Sequence, residues 1–381
     1  MIVNNIYNLS SKIWLSSPHM SGHEEEFINQ AFSTNWIAPL GPNVNGFEAD
    51  LELYLGREVH VAALTTGTAA IHLALVLLNI KENDEVICQT KTFIASVNPV
   101  RYLGAKPIFV DSERDTWNMC PVLLRQAIID RIKKGKKPKA IIVINLYGMP
   151  HKVSEIEKIS NEFQIPIVED SAEALGSSYF NRKCGTFGDF SVLSFNGNKI
   201  ITTSGGGALV SKSKETKNNA VFLATQAKDP GMEYSHTSMG YNYRMSNVLA
   251  GIGRGQMKVL DKYVNLRRSN YHYYLKHLKS VKQISFLNEP EGFFSNRWLT
   301  VIILETHKMR EDLLEHLQTN NIEARPSWKP MHLQPMYEKF PSYLNGVSEE
   351  LYKKGLCLPS GSNLTATELS KIVKTIKQYF E

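Results

Sequence analysis

The chain has 381 residues, 43 of them basic and 37 acidic, a formal net charge of +6, and 43% hydrophobic residues. These values are ordinary for a soluble globular protein and do not suggest a disordered class, and the basic excess is too small and scattered for nucleic acid while suiting an anionic small substrate. The length allows two domains, or one large domain with a smaller appendage.

Cys88, Cys120, Cys184 and Cys357 are far apart and form no paired spacing, so neither a metal site nor a disulfide framework is expected, and a reducing cytoplasm is the natural setting. Residues 1–14 lack the basic start and apolar core of a signal peptide. No apolar run is long enough for a bilayer, so a soluble protein is expected that is not exported and has no membrane partner.

In chain order, His19 and His23 precede Glu24, Glu25 and Glu26 without an HExxH pattern, which reads as a loop feeding an acidic helix start. Residues 35–42 are turn-rich with aromatic and apolar side chains, suited to a loop or a pocket lining. Residues 59–64 read as a strand, 65–67 as a turn, and 68–78 as a helix apolar nearly all round and therefore buried. The N–H groups of Gly67 and Thr68, with the Thr68 hydroxyl, suit a phosphate at the helix N-terminus; a plain cap explains Thr68 equally well.

Strand patterns follow at 85–89, 107–110, 140–145 and 165–168, with helix patterns at 121–134 and 153–163. The basic run 131–139 ends the first of these helices and reads as a solvated face. The alternation predicts an α/β fold with a mostly parallel sheet, helices on both faces and strand C-termini along one edge. Glu169 and Asp170 close one strand. A second, 190–195, is broken by Asn196-Gly197, which places Lys199 just past its end and before Gly205, Gly206 and Gly207.

A carboxylate at such an edge serves as a helix cap or as the partner of a pyridine nitrogen. A lysine there is an ordinary surface amine or one that forms a Schiff base. After a strand at 208–210, a polar stretch runs to about residue 235. A helix then opens near 240–247, and its Gly251, Gly253 and Gly255 follow no strand, so they suit close helix packing rather than a dinucleotide. A helix at 261–279, a strand at 299–304, a helix at 311–320 and a terminal helix from 367 form a smaller α+β unit, which sets the predicted domains at 1–255 and 256–381.

Five blocks occur in order: Gly67-Thr-Ala-Ala70, Thr92-Phe-Ile-Ala-Ser96, Glu169-Asp-Ser-Ala-Glu-Ala-Leu-Gly176, Ser194-Phe-Asn-Gly-Asn-Lys199 and Gly240-Tyr-Asn-Tyr-Arg-Met-Ser-Asn247. As a set they resemble the DegT/StrS-type nucleotide-sugar aminotransferases, which are fold-type I pyridoxal phosphate enzymes with an aspartate-aminotransferase-like fold. The wording at 17–22, 35–41, 196–207 and 295–299 is most similar to the branch acting in UDP-N-acetylbacillosamine synthesis.

The resemblance implies pyridoxal 5'-phosphate as cofactor and L-glutamate as amino donor. The implied acceptor is a UDP-linked 4-keto-6-deoxy-N-acetylhexosamine. It makes Lys199 the Schiff-base lysine, Asp170 the partner of the pyridine nitrogen and Phe93 the side chain stacked on the ring. Gly67, Thr68 and Ser194 become phosphate holders. Asn242 becomes a contact from the neighbouring subunit, which requires a homodimer. Glu173 stands near the cofactor's phenolic oxygen, where many members have Gln or His. Arg325, Trp328 and His332 lie in a proline-broken loop suited to a nucleotide diphosphate or a carboxylate. A dehydratase on this scaffold would replace the lysine, classically with histidine, and an oxidoreductase would need a glycine fingerprint after its first strand. A non-catalytic sensing module and an aminotransferase for a GDP- or dTDP-linked sugar remain as alternatives.

Overall fold

The computed structural model describes residues 12–56 and 58–381. Helices α1 (Glu24–Ser33) and α2 (Pro42–Leu55) precede β1 (His60–Leu64) and α3 (Gly67–Leu77). Then come β2 (Glu85–Gln89), α4 (Asn98–Tyr102), β3 (Lys106–Val110), α5 (Pro121–Lys133), β4 (Ala140–Ile144), α6 (Val153–Phe163) and β5 (Ile167–Asp170). Two short strands, β6 (Ser178–Tyr179) and β7 (Arg182–Lys183), lead to β8 (Phe190–Ser194), β9 (Gly207–Ser211), α7 (Lys214–Ala224), α8 (Asn247–Met257) and α9 (Leu260–Leu278). The remainder is β10 (Ile284–Phe286), β11 (Phe293–Phe294), β12 (Thr300–Leu304), α10 (His307–Thr319), β13 (Arg325–Pro326), β14 (Ser342–Tyr343), α11 (Val347–Lys354), β15 (Gly355–Leu358) and α12 (Ala366–Phe380).

The large sheet has the order β1-β9-β8-β5-β4-β2-β3-β14. Strand β9 is antiparallel to both neighbours, whereas the pairs from β8 through β14 are parallel. Its central strand β4 is apolar throughout because both faces are covered. On β4, Ile142 and Ile144 face the core under α3, while Ile141 and Val143 pack with residues of α5 and α6. A smaller sheet, β10-β12-β15-β13, packs on α9, α10 and α12, and β14 crosses back from the C-terminal part to pair with β3.

Two helices lie in stretches for which no element was predicted, and one expectation needed correction. Helix α2 runs through a region with no predicted element; Pro42 occupies its first turn, where a missing N–H costs nothing. Helix α7 lies in the stretch read as polar, because only Ala220 and Ala224 form its buried face. The run 131–139 is not solvated at its start, since Arg131 is buried against Glu85, with Nε to Oε2 at 2.8 Å.

The glycines of α8 act as packing residues. A Cβ at Gly253 would lie 2.7 Å from the Phe47 ring, and one at Gly255 would lie 2.5 Å from the Glu24 backbone nitrogen. Alanine in place of glycine inside a helix ordinarily gains about 1 kcal/mol. At Gly255 the sign reverses, because the backbone of α1 has to move. Gly255→Ala therefore lowers stability by about 1–3 kcal/mol in urea unfolding; a raised midpoint would show that α1 does not seat on α8.

Candidate active site

The register of the large sheet gathers the site. Asp170 ends β5 beside Val192 of β8, and Ser194 ends β8 opposite Gly207, which also faces Leu64 at the end of β1. The turns leaving β1, β5 and β8 thus open on one edge, around a cavity of about 290 Å³. Gly67, Thr68, Phe93, Asp170, Glu173, Ser194, Lys199 and Trp328 all line it.

The N-terminus of α3 forms one wall. Thr66 caps the helix by accepting the Ala69 N–H at 3.0 Å, and the N–H groups of Gly67 and Thr68 precede the first intrahelical bond. This wall is tight. A Cβ on Gly207 would sit 2.3 Å from the Gly67 nitrogen, so only glycine lets β9 start there. Helix N–H groups beside the hydroxyls of Thr68 and Ser194 form a donor set for a phosphate.

Asp170 is 5% exposed. Its Oδ2 accepts from the Ser96 hydroxyl at 2.7 Å and its Oδ1 from the Ala172 N–H at 3.0 Å. Burial raises its pKa, against the pull of these donors and of Lys199. Glu173 is also raised by burial, with Lys199 and the Tyr147 N–H, 2.7 Å from Oε2, acting in the opposite direction. Lys199 Nζ lies 3.7 Å from Glu173 Oε1 and 4.1 Å from the centroid of the Trp298 ring. Two buried carboxylates therefore face one amine, an arrangement suited to holding and moving protons.

Asn242, Arg325 and His332 are not brought to this cavity. Asn242 is exposed and pairs its backbone with Thr225. Arg325 is exposed, with Nη2 2.8 Å from Glu323 Oε1. His332 is buried, its Nδ1 2.7 Å from Thr90 Oγ1. Sequence reasoning gave no site role to Ser96, which holds Asp170, or to Trp298, which lies beneath the lysine. Their signal was membership of the blocks at 92–96 and 295–299.

The donor set fits a phosphorylated pyridine aldehyde: phosphate donors at one end, a carboxylate for the ring nitrogen and an amine for the aldehyde. The comparisons agree. Residues 18–377 match the DegT/DnrJ/EryC1/StrS aminotransferase family. The chain is 46% identical over 376 residues to EpsN of Bacillus subtilis (strain 168), covering 98% of this chain and 97% of that protein, whose name assigns it provisionally to the pyridoxal phosphate-dependent aminotransferases. It is 36% identical over 367 residues to GDP-perosamine synthase of Escherichia coli O157:H7, covering 95% and 97% of the two chains. A DegT DnrJ EryC1 StrS aminotransferase from Brucella abortus superposes with a TM-score of 0.88 at 29% identity, covering 94% of this chain and 95% of that one. By the match along nearly its whole length, the chain belongs to the DegT/DnrJ/EryC1/StrS aminotransferase family.

Proposed function

We propose that this pyridoxal phosphate-dependent sugar aminotransferase moves the amino group of L-glutamate to C4 of a UDP-linked 4-keto-6-deoxy-N-acetylhexosamine. The products are a UDP-4-amino-4,6-dideoxy sugar and 2-oxoglutarate. The observation that carries the reading is the convergence of Lys199, Asp170 and the α3 N-terminus on one cavity. The UDP assignment rests on the sequence wording at 17–22, 35–41, 196–207 and 295–299. A GDP-linked sugar is the second reading, favoured by the relative named GDP-perosamine synthase.

When bound, pyridoxal phosphate supplies an electron sink and carries the amino group between the two half-reactions. Gly67, Thr68 and Ser194 would hold its phosphate, and Phe93 would cover its ring. Asp170 would keep a proton on the ring nitrogen, and the Ser96 and Ala172 donors favour the carboxylate that this requires. The Lys199 amine takes the proton from Cα of glutamate and, in the second half-reaction, returns one to C4 of the sugar. Glu173 balances the lysine's charge within the buried cavity. The Trp298 ring shields one side of the amine from water.

The reading includes a homodimer in which Asn242 reaches the partner's phosphate; its exposure on an extended segment, away from its own cavity, supports this. A cytoplasmic setting is also part of it, supported by four free cysteines. Among the described residues, no helix is long and apolar enough to cross a membrane.

Absorbance spectra with pyridoxal phosphate test the reading. L-glutamate should bleach the cofactor band of the wild type, and a UDP-linked 4-keto sugar should restore it. Restoration by a GDP-linked sugar alone would transfer the assignment to the second reading, and no response to glutamate would end it. Lys199→Ala should abolish turnover, by at least about 10³-fold, with the circular dichroism spectrum retained. Asp170→Asn should lower kcat by about 10²–10³-fold while cofactor still binds; a wild-type rate would remove the charge role of Asp170.

A further inference from the structure

The Trp328 wall of the cavity is held by two residues that the reaction itself leaves unused. The Trp328 N–H donates to the Tyr147 hydroxyl at 2.8 Å, and its C=O accepts from Lys91 Nζ at 3.0 Å. Lys91 also donates to Ser327 Oγ at 3.0 Å, so both of its hydrogen bonds go to neutral oxygens. It is fully buried, and burial pulls its pKa down to about 7. A buried amine is a poor way to fill space, because the charge loses its water and apolar packing would serve better. What the lysine offers here is a donor for the Trp328 peptide.

Tyr147 is built around the same peptide. It is 4% exposed and adopts φ 53°, ψ 22°, a left-handed conformation uncommon for a large side chain. That conformation turns its N–H onto Glu173. Its ring lies nearly parallel to the indoles of Trp298 and Trp328, with centroids 6.4 and 6.2 Å away. Trp298 underlies Lys199, and Trp328 meets Phe93 at 5.1 Å. Phe93 is 48% exposed and marks the open side of the cavity. Backbone strain persists where the surroundings over-determine it, and such sites cluster around ligands.

We propose that Tyr147 and Lys91 are positioning residues that clamp the Trp328 peptide from both sides, so that its indole forms a fixed wall against which the sugar ring of the acceptor packs. The assignment rests on the sugar-aminotransferase reading above. An indole face matches the C–H face of a pyranose, and a wall already fixed costs less ordering when the substrate arrives. L-glutamate has no ring to place there, so the clamp bears on the second half-reaction and not the first.

Tyr147→Phe keeps the ring and the N–H to Glu173 and removes only the hydroxyl. Lys91→Met keeps the length of the side chain and removes the donor. Hydrogen exchange on the pyridoxal phosphate-loaded protein should be at least about tenfold faster in peptides spanning 326–333 of Tyr147→Phe, with peptides over 196–203 unchanged. In both variants KM for the nucleotide-linked keto sugar should rise about tenfold, while the single-turnover rate with glutamate stays within about twofold. Unchanged exchange at 326–333 would overturn the clamp. A glutamate rate falling in step with the sugar rate would reduce it to a structural role. If the wild type aminates no nucleotide-linked keto sugar, the sugar-facing purpose fails with the proposed function, and the exchange result still decides whether the clamp exists.

Discussion

The Asn198–Lys199 peptide is tied to distant parts of the chain by hydrogen bonds, and the rest of the site depends on that anchoring. The Asn198 C=O accepts from the Trp298 indole N–H at 2.7 Å and from the Ser16 hydroxyl at 2.8 Å. The Arg267 guanidinium donates to the Trp298 C=O at 2.7 Å, to Ser16 Oγ at 3.0 Å and to the Lys199 C=O at 3.3 Å. Arg267 is 1% exposed, and burial pulls its pKa down to about 9. Burying such a charge costs several kcal/mol even after relaxation. The three oxygen acceptors offset part of that cost. In return, the backbone that carries the lysine is fixed to the N-terminal segment, to α9 and to residue 298 before any ligand arrives.

The side chain of Lys199 is held more loosely than its backbone. Its amine has a carboxylate at 3.7 Å and an aromatic face at 4.1 Å, and neither is a short hydrogen bond. In the proposed reaction Lys199 alternates between covalent attachment and proton transfer, which calls for that freedom at its tip and rigidity at its base. Asp170 has the opposite design. Two donors within 3.0 Å fix both of its oxygens at the end of a buried strand, as suits the stationary charge that the proposed reaction asks of it.

How much of this was legible depended on how local each cause was. Strand β4 was readable because burial on both faces makes it a continuous apolar run, and β2 carries a shorter run, Val86-Ile87-Cys88, between polar ends. The edge shared by Asp170 and Lys199 followed from strand direction alone. Helix α7 was not readable, since two alanines make no periodic apolar stripe. The Ser96 contact to Asp170 joins residues 74 apart, and the Trp298 contact to Asn198 joins residues 100 apart. No local pattern encodes such pairs. Arg325 and His332 show the converse: their residue types suit an anion, but tertiary packing gave them partners outside the cavity, Glu323 for one and Thr90 for the other.

Borohydride reduction of the protein loaded with pyridoxal phosphate, followed by peptide mapping, shows directly whether Lys199 carries the cofactor. One pyridoxyl label per chain is expected, on Lys199, and none on the buried Lys91. A label on any other lysine, or no label despite bound cofactor, would contradict that assignment.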